Sequence, residues 1–355
     1  MKSIIKRTAL CLCAIVFTCQ LSDAQKKDKK KFKRNHSISI NHQGSSADVS
    51  EGYWALENDQ WGVQLYLSSK EGKKYSLSKG SFFISFYLAD RELSMINSTS
   101  GTVSFERPAG TLTLNKDTDR FSFTENKSFQ SFLANQGFEQ GTTYDYMKLF
   151  LGEIDTTYVT SLKDLGYSPS LKMLGKLGIL DVDIPYIKAI NSYYKGLDIN
   201  MVSKFAIHGI TPDYLDDLKS LGYGDMDANM VKKFAIHGIS ADYVQGLKDV
   251  GYSDLDPNMI KNFAIHGVRV SYIEGLNNLG YADLDPNTIK KFKIHGISLN
   301  YIESLQSLDI ETPSTSQLKK AKIHGVTANF IERANRKGHN SRDLSDYVKL
   351  KIHGI

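Results

Sequence analysis

The tetrapeptide Ile-His-Gly-Ile/Val recurs six times, with its histidines at His208, His237, His266, His295, His324 and His353, every interval being 29 residues. A chain that repeats at this period builds one small unit many times and buries its core between neighbours, so it folds as a solenoid. A second marker keeps the same spacing. An aromatic followed by an aliphatic stands at Tyr214, Tyr243, Tyr272, Tyr301 and Phe330, and the aromatic continues backwards at Tyr186, Tyr158 and Phe129, at intervals of 28, 28 and 29. Eight repeats fill the chain from Phe129 onward.

Each repeat reads as two short helices. In the first, Tyr214, Leu215, Leu218 and Leu221 share one helical face. Thr211 is placed to cap that helix, with Pro212 at its first position. Gly222 supplies the left-handed residue that ends it, which sets Tyr223 against Leu218. Asp227, Asp256 and Asp285 are N-caps of the second helix, and Met201, Phe205 and His208 form one face of it. Gly209 stops that helix, letting Ile210 close back on Phe205. Gly238, Gly267, Gly296, Gly325 and Gly354 hold the same place in the other repeats.

Before the repeats, residues 50–126 alternate with period two. Trp61, Val63, Leu65 and Leu67 form one run, and Val103 with Phe105, Leu112 with Leu114 and Phe121 with Phe123 form the others. Pro108-Ala109-Gly110 and the polar stretch 115–119 supply turns. This pattern predicts a small antiparallel sheet with one apolar face. Residues 82–88 are a continuous apolar run that periodicity leaves between strand and helix.

The array Leu-Gly-Tyr-x-x-Leu-Asp … Ile-His-Gly-Ile resembles the tandem helical repeats that follow the peptidase domain in some beta-lactam-sensor-type membrane metallopeptidases. It is also similar to secreted bacterial relatives that carry the repeats alone. The segment 109–114 followed by Phe121-Ser122-Phe123 is similar to the β segment that precedes those repeats. The chain departs from that pattern in its chemistry. It has no His-Glu-x-x-His and no membrane helix, so the resemblance implies the repeat fold and not peptidase activity.

Charge is unevenly spread. Of the formal +5, residues 1–24 carry +2 and residues 25–35 carry +6, which leaves the rest at −3. The high pI therefore argues little for a nucleic-acid partner. Residues 1–7 are a basic n-region and 9–18 an apolar h-region, and Ser22-Asp23-Ala24 sets cleavage before Gln25. The expectation is a signal peptide over 1–24 and export to the periplasm or beyond. Cys11, Cys13 and Cys19 all fall inside that leader, so the mature chain carries no thiol or disulfide. Phe17, where a small residue is wanted, argues against lipid anchoring at Cys19. Residues 25–36 read as a solvated basic linker.

The repeat histidines invite a metal reading, which geometry opposes. Equivalent atoms on packed helices lie about 8–10 Å apart, whereas two nitrogens on one zinc sit within about 4 Å of each other. We expect instead that each histidine is structural, donating to the carbonyls at its helix end. Two lysine columns share the period: Lys232, Lys261, Lys290 and Lys319, and beside them Lys204, Lys233, Lys291, Lys320 and Lys349. They could engage an acidic polymer, or simply form a solvated face. An acidic column, Asp216, Glu274, Glu303 and Glu332, runs along the first helices. No catalytic or cofactor motif stands out.

The sequence thus predicts an α+β chain: signal peptide 1–24, basic linker 25–36, a β-rich domain over 37–127, and an αα-hairpin solenoid of eight repeats over 128–355. The function expected is an exported, non-enzymatic scaffold, without cofactor or metal, that offers a helical surface to a protein partner. The alternatives are binding of a polyanion or acidic glycan through the lysine ridge, and an enzyme with its site in the β domain.

Overall fold

The computed structural model describes residues 39–42, 49–70 and 82–354. The expected leader, the basic linker and the three cysteines lie outside the described residues. The first described elements are seven strands: β1 (Ser39–His42), β2 (Glu51–Asp59), β3 (Gly62–Ser68), β4 (Phe82–Tyr87), β5 (Thr102–Arg107), β6 (Gly110–Asn115) and β7 (Arg120–Glu125). They form one antiparallel sheet in the order β1-β4-β3-β2-β7-β6-β5. The apolar run at 82–88 is thus a strand, buried enough to lose its alternation. Leu65, Leu67, Ile84, Leu112, Leu114, Phe121 and Phe123 make the buried face. Trp61 does not join it. It sits in the β2–β3 turn, where its backbone N–H donates to the Asp59 carboxylate (2.7 Å), and it is exposed. The expected turns are present, the second closed by Asn115 Oδ1 accepting from the backbone N–H groups of Asp117 (2.9 Å) and Thr118 (3.1 Å).

A helix that the alternation hid, α1 (Asp90–Ser98), crosses between β4 and β5. Lys116 Nζ donates to its terminal carbonyls, Ile96 (2.8 Å) and Thr99 (2.7 Å), in the role of a basic C-cap. Arg107 then joins sheet to repeats. Its guanidinium reaches Glu92 of α1 (2.7 Å), Glu153 (3.0 Å) and the Phe150 carbonyl (2.9 Å), and lies over the Phe150 ring at 4.8 Å. Phe123 and Phe150 meet edge to face at 5.4 Å, so the sheet and the first repeat share one apolar core.

Sixteen helices follow in eight pairs. The first helices are α2 (Lys127–Asn135), α4 (Thr156–Asp164), α6 (Ile184–Tyr193), α8 (Pro212–Leu218), α10 (Ala241–Asp249), α12 (Val270–Asn278), α14 (Leu299–Gln306) and α16 (Ala328–Arg336). The second helices are α3 (Thr143–Leu151), α5 (Leu171–Ile179), α7 (Ile199–Ile207), α9 (Ala228–Ile236), α11 (Pro257–Ile265), α13 (Pro286–Ile294), α15 (Thr315–Ile323) and α17 (Leu344–Ile352). From α4 on, helices pack chiefly on their counterparts in the next repeat, first on first and second on second, which makes two layers. The core column Val202, Val231, Ile260 and Ile289 is buried, as are Phe205, Phe234, Phe263 and Phe292.

The caps follow the sequence closely. Thr211 Oγ1 accepts from the Tyr214 N–H (3.1 Å), and the Asp227 carboxylate accepts from Asn229 and Met230. At the other end the Gly209 N–H donates to Ala206 (3.1 Å) and the Ile210 N–H to Phe205 (2.9 Å), with Gly209 at φ 67°. This is the paired closure of a left-handed C-terminus. In repeats 1 and 2, Glu153 and Asp181 hold that left-handed position without a glycine.

Candidate functional site

Two tyrosine ladders lock the repeats before any surface is presented. Within a repeat, the first-helix tyrosine donates to the carbonyl that follows the second helix: Tyr186 to Ile210 (2.8 Å), Tyr214 to Ile239 (2.6 Å), Tyr243 to Val268 (2.6 Å), Tyr272 to Ile297 (2.7 Å) and Tyr301 to Val326 (2.9 Å). Between repeats, the tyrosine after the first helix donates to the carbonyl just before the next repeat's second helix. Tyr194 reaches Met226 (3.0 Å), Tyr223 Leu255 (2.9 Å), Tyr252 Leu284 (2.6 Å) and Tyr281 Pro313 (2.6 Å). Burial pushes these hydroxyls above the ordinary tyrosine value, Tyr194 to about 12.

With the hydroxyls and caps satisfied, the unpartnered features collect along the C-terminal ends of the second helices. Ile207, Ile236, Ile265, Ile294, Ile323 and Ile352 are 39–58% exposed, and apart from Trp61 no other large apolar side chain among the described residues is so open. Helical geometry explains it. Phe205 faces the core, and two residues further turn about 200° around the helix, which carries Ile207 to the opposite side. Periodicity then lines the six isoleucines up, about 8–10 Å apart.

Both lysine columns lie one turn back from this row, at i−4 and i−3, the positions whose side chains adjoin on a helix. Lys232, Lys261 and Lys290 are half-buried, each donating to an asparagine on its own helix, Asn229, Asn258 or Asn287, at 3.1 Å. Lys319 is half-buried at the same place. Lys204, Lys233, Lys291 and Lys320 are exposed, whereas Lys349 is paired with Asp346 at 2.9 Å. A third column, outside the two that the sequence pattern picks out, lies one residue before each isoleucine. Ala206, Ala235 and Ala264 give way in the last three repeats to Lys293, Lys322 and Lys351, whose ammonium groups sit over Tyr272 (4.7 Å), Tyr301 (4.5 Å) and Phe330 (4.7 Å).

The histidines stand at the helix ends that form this edge. Each is the C-cap residue, but the carbonyls are taken by backbone N–H groups, His208's own going to Lys204 at 3.0 Å. No repeat histidine side chain donates to them among the described residues, which corrects the expected capping role. The imidazoles of His237, His266, His295, His324 and His353 are exposed. His208 is held below the ordinary imidazole value by burial and then by Lys232 of the next repeat. Among the described residues no three His, Cys, Asp or Glu side chains gather into a metal-binding group.

The two layers differ in charge. The six second helices from α7 to α17 contain twelve lysines against one acidic residue, Asp346, whereas the first helices from α6 to α16 contain eight acidic residues against four basic ones. Asp216, Glu274, Glu303 and Glu332 are exposed on that acidic side. The molecule therefore has one basic edge with an aliphatic row inside it. No helix among the described residues is long and apolar enough to cross a membrane. No family model, curated protein or solved structure matches the chain.

Proposed function

We propose that this chain is an exported, non-enzymatic binding scaffold that offers the second-helix edge of its repeats to a protein partner of the bacterial envelope. The observation that carries the reading is the row of six half-exposed isoleucines flanked by lysines. An outward-facing aliphatic side chain recurs at the same place in six successive repeats, which makes a row and not a scattered set, and a row of this kind suits an interaction site. The resemblance to secreted bacterial relatives that carry such repeats alone agrees with a scaffold role.

Binding of a polyanion through the lysines is the second reading, favoured by Lys204, Lys233, Lys291 and Lys320, which stand exposed beside the row. Such binding would fall steeply with salt, whereas contact through the isoleucines would persist.

A photo-crosslinking residue placed at position 265, with a control at Gln245 on the first-helix side, tests the scaffold in the native envelope. Crosslinks to a defined protein are expected from 265 and not from 245. Equal yields from the two positions, or none from either, would refute it.

A further inference from the structure

We infer that the partner segment is an extended acidic polypeptide carrying an aliphatic side chain at about every third residue, laid along the Ile207–Ile352 row. This rests on the scaffold reading and adds the chemistry of what is held.

Three observations converge. The first is charge: twelve lysines against one aspartate in these helices select a negatively charged partner. In repeats 6 to 8 the change from alanine to Lys293, Lys322 and Lys351 thickens that charge at one end of the row. The second is the aliphatic row, which a purely ionic polymer would leave wet. The partner must bring apolar groups to the same line. The third is spacing, which follows from general helix-packing geometry. Repeats advance about 8–10 Å each, and an extended polyproline-type chain advances about 9.3 Å in three residues and turns once in doing so. Its every third side chain thus meets successive isoleucines. Five steps make a row of about 40–50 Å, the length of about 13–16 residues of extended chain.

The isoleucines also argue against a lipid surface. They are six single side chains at 39–58% exposure, each set beside one or more lysines of its own helix, and not a broad apolar face. Lys232, Lys261 and Lys290 donate to Asn229, Asn258 and Asn287, so the charge offered to the segment comes chiefly from the exposed Lys204, Lys233, Lys291 and Lys320.

The probe is a labelled peptide of repeating Glu-Glu-Val, about 15 residues long, titrated by fluorescence anisotropy against the mature chain. A glutamate-only peptide, a Lys-Lys-Val peptide and vesicles of phosphatidylglycerol with phosphatidylcholine are run beside it. The Glu-Glu-Val peptide should bind best. The pair Ile265→Ser and Ile294→Ser, both exposed and so harmless to folding, should weaken it about tenfold. Lys291→Glu with Lys293→Glu should weaken it more than Lys204→Glu. Equal binding of the glutamate-only peptide, or indifference to the isoleucine pair, would reduce the site to a simple polyanion patch and overturn the inference. Binding of the vesicles but not of the peptide would replace it with a membrane surface. If position 265 crosslinks a partner while the peptide fails to bind, the extended-segment inference alone falls. If position 265 crosslinks nothing, the scaffold reading falls with it.

Discussion

The hydroxyl of Tyr252, one residue beyond the glycine that ends α10, donates to the carbonyl of Leu284 at 2.6 Å, 32 residues later and in the next repeat. Leu284 immediately precedes the N-cap Asp285, so the bond fixes where α13 begins relative to α10. One side chain sets both a helix start and the pitch of the array.

Tyr252→Phe keeps the ring, which meets Phe263 edge to face at 6.4 Å, and removes only that bond. The Leu284 carbonyl loses its donor, at a cost of about 1–2 kcal/mol. Denaturant titration should show a lower midpoint with unchanged slope. An unaltered midpoint would mean that water replaces the hydroxyl freely and that the inter-repeat ladder is incidental.

Two glycines separate cap strain from packing. Gly267 has φ 67° and a Cβ there would meet nothing within 4 Å, so Gly267→Ala carries only the left-handed penalty of about 1 kcal/mol. Gly238, at φ 66°, should behave alike. At Gly275 a Cβ would lie 2.2 Å from Leu299 Cδ1 in the next repeat, so Gly275→Ala must displace that side chain at about 1–3 kcal/mol. Adding Leu299→Ala should rescue part of the second loss and none of the first. The double variants, compared by thermal melting, check this.

Those caps were legible because each has a local mechanical cause: a Thr or Asp before the helix, a glycine after it. The exposed isoleucine row was not read, although Phe205 and Ile207 stand two residues apart and helical geometry alone places them on opposite sides. As a helix terminator the motif draws attention to its glycine, and its leading isoleucine carries no local signal of exposure. The histidines misled for a related reason. Their place beside the glycine suggested a donor to the carbonyls, but the Ile210 and Gly209 N–H groups already occupy those acceptors. Helix α1 was hidden by its polarity, since only Ile96 of its residues is buried. The inter-repeat tyrosine bonds span 30–32 residues and no local pattern announces them.

Alkaline pH should unfold the array early. Burial raises the ladder tyrosines above 10.0, Tyr194 to about 12. Between these values the unfolded chain releases phenolic protons that the folded chain retains. The unfolded state therefore binds fewer protons, and stability falls as pH rises. It should be level from neutral pH to about pH 9 and drop from about pH 10 upward. Circular-dichroism melts across that range should show the drop, and Tyr214→Phe with Tyr243→Phe should make it shallower. A double variant with the same slope would remove the ladders as the cause.

Arg107 is the joint between sheet and solenoid, and Arg107→Met tests it. The substitution keeps an aliphatic body over the Phe150 ring but strips the contacts to Glu92, Glu153 and the Phe150 carbonyl. The group is partly solvated, so the expected loss is about 1–3 kcal/mol. Hydrogen exchange should rise in α1 and β5 and stay unchanged in α10 to α13, because coupling in such an array passes only between neighbours. A uniform rise throughout the chain would contradict neighbour-only coupling.

The same neighbour rule predicts what a truncation leaves behind. Residues 328–355 are the helices of repeat 8, and cutting after Thr327 keeps Val326, whose carbonyl accepts from Tyr301, in place. Repeat 7 then stays closed on itself and loses only its contact with the last pair. That pair is itself well knit. Tyr347 is buried, and its hydroxyl donates to the Ser341 carbonyl at 2.8 Å, while α16 turns Glu332, Arg333 and Arg336 to solvent and its C-cap Lys337 is exposed. Arg333 occupies the position that repeats 5 and 6 keep as Gly246 and Gly275 for close packing of the next first helix, against Val270 and Leu299. Arg333 is exposed. Removing the pair should therefore lower helical signal in proportion and shift the unfolding midpoint modestly, with repeats 3 to 6 as protected from exchange as before. Complete loss of structure on truncation would show that the core at Tyr347 stabilises distant repeats, and a cooperative helical domain would replace the linear array.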